Sequence, residues 1–112
     1  MRAGDIVLSS LLQADGRFKV RPAVVLHETP KFGDLIVCGV SCQLEQESVG
    51  LDEILDSQQA DFAGSGLKEA SLIRLTFLGT VPRQFIRGRI GEIAPARLAR
   101  LLTKLSDFFR PA

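Results

Sequence analysis

The stretch Gly66-Leu67-Lys68-Glu69-Ala70-Ser71-Leu72-Ile73-Arg74-Leu75-Thr76 is an apolar run opened by a glycine and interrupted near its far end by a single arginine. Side chains alternate along a strand, so a strand over Ser71 to Thr76 puts Leu72, Arg74 and Thr76 on one face and Ser71, Ile73 and Leu75 on the other. Arg74 is then carried by a rigid element. Its guanidinium stays charged at neutral pH and forms forked bonds to phosphate oxygens, which suits an anionic ligand. The plainer alternative is an arginine at a strand end that lifts its head into water or pairs with a carboxylate.

Downstream of this stretch, Phe77-Leu78-Gly79-Thr80-Val81 extends or bends the same strand, with Gly79 the natural place for a bulge. Pro82 to Ile86 reads as one helical turn and Arg89-Ile90-Gly91-Glu92-Ile93 as a short strand. Pro95 then sits at a favoured first helical position. After it Leu98, Leu101, Leu102, Leu105, Phe108 and Phe109 recur at helical spacing, with Arg97, Arg100, Lys104 and Asp107 opposite.

Upstream, Gly4-Asp5-Ile6-Val7-Leu8-Ser9 reads as the first strand, and Asp15-Gly16 marks the reversal into the next. Pro22 cannot donate to a ladder, so Arg21-Pro22 marks a strand start or an edge before Ala23-Val24-Val25-Leu26. Leu35 to Ser41 is a further strand. These two strands are apolar on both faces, which predicts cover on two sides, as in a small closed barrel with a helix against it. Gln43 to Ser65 is the least regular part, with Glu53-Ile54-Leu55 a short strand and Gln58 to Ser65 a polar loop. The predicted fold is therefore mainly β (α+β): a small β-barrel with a C-terminal amphipathic helix, in one domain over residues 1–112.

A 112-residue chain with 46% hydrophobic and 24% charged residues has the usage of an ordinary globular domain. No apolar run approaches a membrane span and no signal-like region opens the sequence, so a cytoplasmic location is expected. With no Trp or Tyr and seven Phe, any base stacking falls to Phe or Arg. Cys38 and Cys42, with one histidine, make no metal-ligand set and read as buried free thiols; no metal or cofactor is expected. The net charge of +1 conceals an acidic tract (Glu45, Glu47, Asp52, Glu53, Asp56, Asp61) that repels nucleic acid. It also conceals a basic C-terminal part (Arg83, Arg87, Arg89, Arg97, Arg100, Lys104, Arg110) that attracts phosphate, unless both are simply solvated surface.

Four pieces, in this order and spacing, resemble the MazF/PemK/Kid family of toxin-antitoxin ribonucleases. They are Gly4-Asp5-Ile6-Val7; Arg21-Pro22-Ala23-Val24-Val25-Leu26; Gly66-Leu67-Lys68 leading into Ser71-Leu72-Ile73-Arg74; and Arg89-Ile90-Gly91-Glu92-Ile93. The resemblance implies an SH3-like barrel with a C-terminal helix, a homodimer, and metal-independent cleavage of single-stranded RNA, with an antitoxin protein as inhibitor. By the same resemblance Arg21 and Arg74 match the family's catalytic arginines, and Ser41 and Cys42 a Thr-Ser pair at a strand end. RNA contacts are further expected from Arg17, Lys19 and Thr76. The sequence departs from the family at the base. Thr76 stands where Kid-type members carry aspartate, and its hydroxyl holds its proton near pH 7. Gly16 stands where MazF-type members carry glutamate, which leaves Asp15 as the adjacent carboxylate. His27 has suitable chemistry at the other end of its strand. The alternatives are a catalytically impaired, protein-binding relative and a gyrase inhibitor like the related CcdB toxins.

Overall fold

The computed structural model describes residues 1–112. Six strands form one antiparallel sheet: β1 (Asp5–Leu12), β2 (Phe18–Glu28), β3 (Leu35–Ser41), β4 (Glu53–Leu55), β5 (Ser71–Val81) and β6 (Ile86–Glu92), in the order β4-β5-β3-β2-β1-β6. A short helix α1 (Phe62–Ser65) precedes β5, and α2 (Pro95–Phe109) ends the chain. No helix is long and apolar enough to cross a membrane. The mainly-β architecture with a C-terminal helix is as the sequence predicts. The sheet curls as a half-barrel whose edge strands β4 and β6 are not paired with each other. At one side of the gap α1 packs on β6. Gly66 closes α1 at φ +73°, where a side chain would also overlap the Ile90 carbonyl, so only glycine lets the loop lie this close to β6.

The hairpin from β1 to β2 reverses at Asp15-Gly16, with the Gln13 N–H bonded to the Arg17 carbonyl at 2.8 Å. Pro22 lies inside β2 rather than at its start. It pairs with Leu8 on one side, while β3 joins β2 only from Ala23, opposite Gly39, so the missing donor falls on a locally open edge. The largest irregularity lies between β3 and β5. Cys38 pairs with Leu78 and Val40 with Ile73, so Arg74, Leu75, Thr76 and Phe77 all stand against Gly39. The expected bulge at Gly79 is therefore displaced; Gly79 pairs regularly with Val37. One N–H freed by this break, that of Leu75, donates to the buried Asp52 carboxylate at 2.9 Å. That carboxylate also accepts from the Ser48 N–H at 2.8 Å.

Alternation divides the core in two. Ile6, Val24, Leu26, Cys38, Val40, Ile73 and Leu75 face α2 and pack with Leu98, Leu101, Leu102 and Leu105. Val7, Leu11, Ala23, Val25, Leu35, Val37 and Val81 form the second cluster on the other face. The bent β5 reaches both, through Ile73 and Leu75 before the bend and Val81 after it.

Two expectations for α2 are corrected. Phe108 and Phe109 are exposed, because the helix outruns the sheet and its last turn has nothing to pack on. Arg97 is buried rather than opposite the apolar stripe, since it lies one turn before Leu101 on the same side. Its charge is matched by two carboxylates: Glu53 on Nη1 at 2.7 Å and Asp61 on Nε at 2.8 Å. Glu53 also takes Arg100 at 2.7 Å and Lys104 at 2.9 Å, and Asp61 accepts the Ala94 N–H at the start of α2 at 3.0 Å. Burial alone would raise the Glu53 pKa, but the bonds from Arg100 and Lys104 outweigh it and hold it at about 2. The Arg97 bonds lower that of Asp61 in the same direction.

A carboxylate whose pKa falls on folding stabilises the native state above its unfolded value and loses that contribution as pH drops through the folded one. Stability is thus expected to decline from about pH 4.5 toward pH 2 as Glu53 is protonated. Glu53→Gln, which leaves Arg97 and Arg100 short of a counter-charge, is expected to cost about 3 kcal/mol in urea unfolding at pH 7 and to flatten this acid limb.

Candidate functional site

On the sheet face away from α2, the second half of β1, the start of β2, the end of β3 and the bend of β5 enclose a cleft of about 620 Å³. Alternation places Arg21 on the same face as Ala23 and Val25, and it projects past the second cluster from the open, β1-paired part of β2. Arg74 comes from the opposite wall, where β5 breaks from β3. Arg21 and Arg74 thus line one cleft, as do Asp15, Lys19, Ser41 and Cys42. Of the residues expected from sequence, Arg17 and Thr76 do not line it. Arg17 lies in the hairpin, where its backbone N–H donates to Asp15 Oδ1 at 2.9 Å, and Thr76 is exposed. His27 stands at the far end of β2 from the cleft, its Nδ1 engaged with the Glu28 backbone.

Asp15 is the one carboxylate in the cleft wall. Its Oδ1 shapes the turn through Arg17 and its Oδ2 is left without a protein partner. Ser41 Oγ accepts the Gln43 N–H at 3.1 Å, an arrangement that turns the chain out of β3 and leaves the hydroxyl proton to donate elsewhere. Gln13, Gln43 and Gln46 add neutral amide donors and acceptors to the rim.

Charge is distributed differently from what the order of residues suggests. Every cation from Arg83 onward except Arg87 is held in an intramolecular ion pair, so the C-terminal part is not the anion-attracting surface. Part of the acidic tract is likewise engaged: Glu53 and Asp61 hold α2, and Asp52 holds backbone N–H groups. Of the segment just after β3, Gln43 and Gln46 line the cleft. By contrast Lys19, Arg21 and Arg74 take part in no ion pair. Cations converging on a concave, partly desolvated surface focus a positive potential there.

The cysteines also separate. Cys38 is fully buried, and burial, reinforced by the nearby Asp52 charge, pushes its thiol up to about 12. Cys42, expected to be buried, is exposed at the cleft because β3 ends at Ser41 and the chain turns away there. Both thiols are free.

Two residues of the cleft, Phe77 and Gly39, were not singled out from the sequence. Phe77 lies against Arg74, with the guanidinium carbon 4.9 Å from the ring centroid, and the ring rests on Gly39. In a regular strand residues 74 and 77 point to opposite faces, so spacing argues against the pair. A glycine inside the apolar run Leu35 to Ser41 is the signal that could have found it.

Residues 2–109 match the family described as PemK-like, MazF-like toxin of type II toxin-antitoxin system. No curated protein matches the sequence. Among solved structures, the fold is similar to that of the Mycobacterium tuberculosis toxin MazF-mt6. The two share 18% identity with a TM-score of 0.70, over 94% of this chain and 95% of that one.

Lys19→Ala, Arg21→Ala and Arg74→Ala are each expected to weaken binding of a short single-stranded oligonucleotide. Each should also flatten the dependence of log affinity on log salt by roughly 0.7 for every phosphate the variant no longer neutralises. An unchanged slope in all three would place the anion elsewhere. A thiol reagent at pH 8 is expected to titrate one cysteine, Cys42, in the native protein and two after denaturation.

Proposed function

Given that the chain belongs to the PemK-like, MazF-like toxin family of type II toxin-antitoxin systems, we propose that it is a metal-independent endoribonuclease that cleaves single-stranded RNA from its cleft. The observation that carries this reading is the meeting of Arg21, Arg74 and Lys19, all free of ion pairs, with one carboxylate in a single cleft. In the reaction the ribose 2′-oxygen attacks the adjacent phosphorus while its proton passes to a base. The bond to the 5′-oxygen breaks, that oxygen takes up a proton, and a 2′,3′-cyclic phosphate remains. Arg21 and Arg74 supply fixed positive charge to the phosphorane, whose charge exceeds that of the starting diester, so their stabilisation is greatest in the transition state. Asp15 is assigned the base through Oδ2, and the Ser41 hydroxyl and Cys42 contact the RNA beside the reacting phosphate. Thr76 contributes neither a proton-accepting group nor a cleft contact.

The reading extends to a cytoplasmic location, to inhibition by a cognate antitoxin and to a homodimer. Supporting the last is a groove beside the cleft edged by the exposed Leu12, Phe18, Leu78 and Phe85, apolar surface that a second copy would remove from water.

Purified protein is expected to cut a long unstructured RNA at discrete positions in the presence of EDTA, leaving cyclic phosphate ends. Arg74→Ala should lower the rate by about a hundredfold or more, the scale for losing one transition-state donor. Asp15→Asn should lower kcat by about a hundredfold or more, the scale for losing a general base. Intact RNA at high protein excess would overturn the nuclease assignment in favour of a catalytically impaired, protein-binding relative.

A further inference from the structure

The Arg74 head has no carboxylate, backbone carbonyl or side-chain acceptor to hold it, although an arginine in water samples many rotamers. What it has is a ring. The guanidinium carbon stands 4.9 Å from the Phe77 centroid, within the range at which a cation is attracted to an aromatic face. The ring in turn has a seat. A Cβ at Gly39 would fall 2.5 Å from Phe77 Cδ2 and 3.1 Å from Cε2, so the ring lies directly on the β3 backbone where no side chain projects. The backbone that carries both residues is held at the break by Asp52 through the Leu75 N–H.

From this arrangement we propose that Phe77, seated on Gly39, is the positioning residue that holds the Arg74 guanidinium in the cleft. A carboxylate would also hold an arginine, but it would cancel the charge that an incoming phosphate needs. An aromatic face supports the cation while leaving it uncompensated and its N–H edge free for the forked bond to phosphate oxygens. The catalytic consequence rests on the nuclease reading; the effect on anion binding does not.

The test compares the full-length protein with Phe77→Leu, Phe77→Tyr and Gly39→Ala. Leucine keeps an apolar group of similar bulk without a ring face, tyrosine restores the face, and the added methyl displaces the ring without touching Arg74. Three readouts are taken on variants shown by thermal unfolding to remain folded. They are the ring-current shift of the Arg74 Nε–H proton, assigned by its disappearance in Arg74→Lys; affinity for an oligoribonucleotide made uncleavable by 2′-deoxy substitution; and cleavage of the unmodified RNA. The shift is expected in the wild type and in Phe77→Tyr and not in Phe77→Leu. Phe77→Leu and Gly39→Ala should bind about tenfold more weakly. Their kcat should fall by on the order of tenfold to a hundredfold, the scale of a misplaced group, with Phe77→Tyr restoring both. Absence of the shift from the wild type, or binding by Phe77→Leu equal to wild type, would overturn the proposal. Wild-type protein that shows the shift and loses affinity in Phe77→Leu, yet leaves RNA intact, would support the positioning role while refuting the nuclease assignment.

Discussion

A β-ladder pairs residues one to one, and this protein breaks that rule where β5 passes Gly39 of β3. Four residues of β5, Arg74 to Phe77, stand against that one glycine. Such a break leaves backbone groups without ladder partners inside the protein, a cost that needs a replacement bond. Asp52 provides one by accepting the Leu75 N–H from the loop before β4. The bend that results turns β5 from the helix-covered core, where it contributes Ile73 and Leu75, to the opposite cluster, where it contributes Val81. It also sets an arginine and a phenylalanine side by side at the mouth of the cleft.

The second organising constraint is the fate of the charges. A buried cation is tolerated only with close counter-charges, and Arg97 has two in Glu53 and Asp61. That cluster fastens β4 and the loop before α1 to α2, so the irregular middle of the chain is tied to the C-terminal helix by ionic bonds. Cations without counter-charges persist only where water or a ligand anion reaches them. Lys19, Arg21 and Arg74 satisfy this at the cleft. One chain of nearly zero net charge therefore carries a charge-matched cluster on the helix side of the sheet and unpaired cations in the cleft on the other.

The separation has a consequence for how the two faces respond to change. On the helix side Glu53 and Asp61 are held ionised by their cationic partners, so their contribution to stability is lost only as pH falls toward their lowered values. The cleft contains a single carboxylate, and it lies apart from the Glu53 and Asp61 cluster. Binding of an anion by the arginines is thus separable from the stability of the fold, whereas Asp15 is tied both to the turn it shapes and to the reaction proposed for it.

Local pattern was enough for most of the framework. Alternation in Ser71 to Thr76, the two-sided apolar strands at Ala23 to Leu26 and Leu35 to Ser41, the Asp15-Gly16 turn and the Pro95 helix start each follow from nearest-neighbour chemistry, and each is present. Arg21 and Arg74 were singled out by the family resemblance, since local pattern alone leaves an ordinary strand-end arginine open, and both line the cleft. Tertiary structure decided the rest. The break at Gly39, the nearness of Phe77 to Arg74, the burial of Arg97 and the exposure of Cys42 and Phe108 all depend on partners distant in sequence. So does the neutralisation of α2's cations by Glu53 and Asp61 rather than by neighbours in the helix. Pairing register and ion-pair choice are set by which strands and loops meet in space, and a residue's spacing along its own chain carries no record of that meeting.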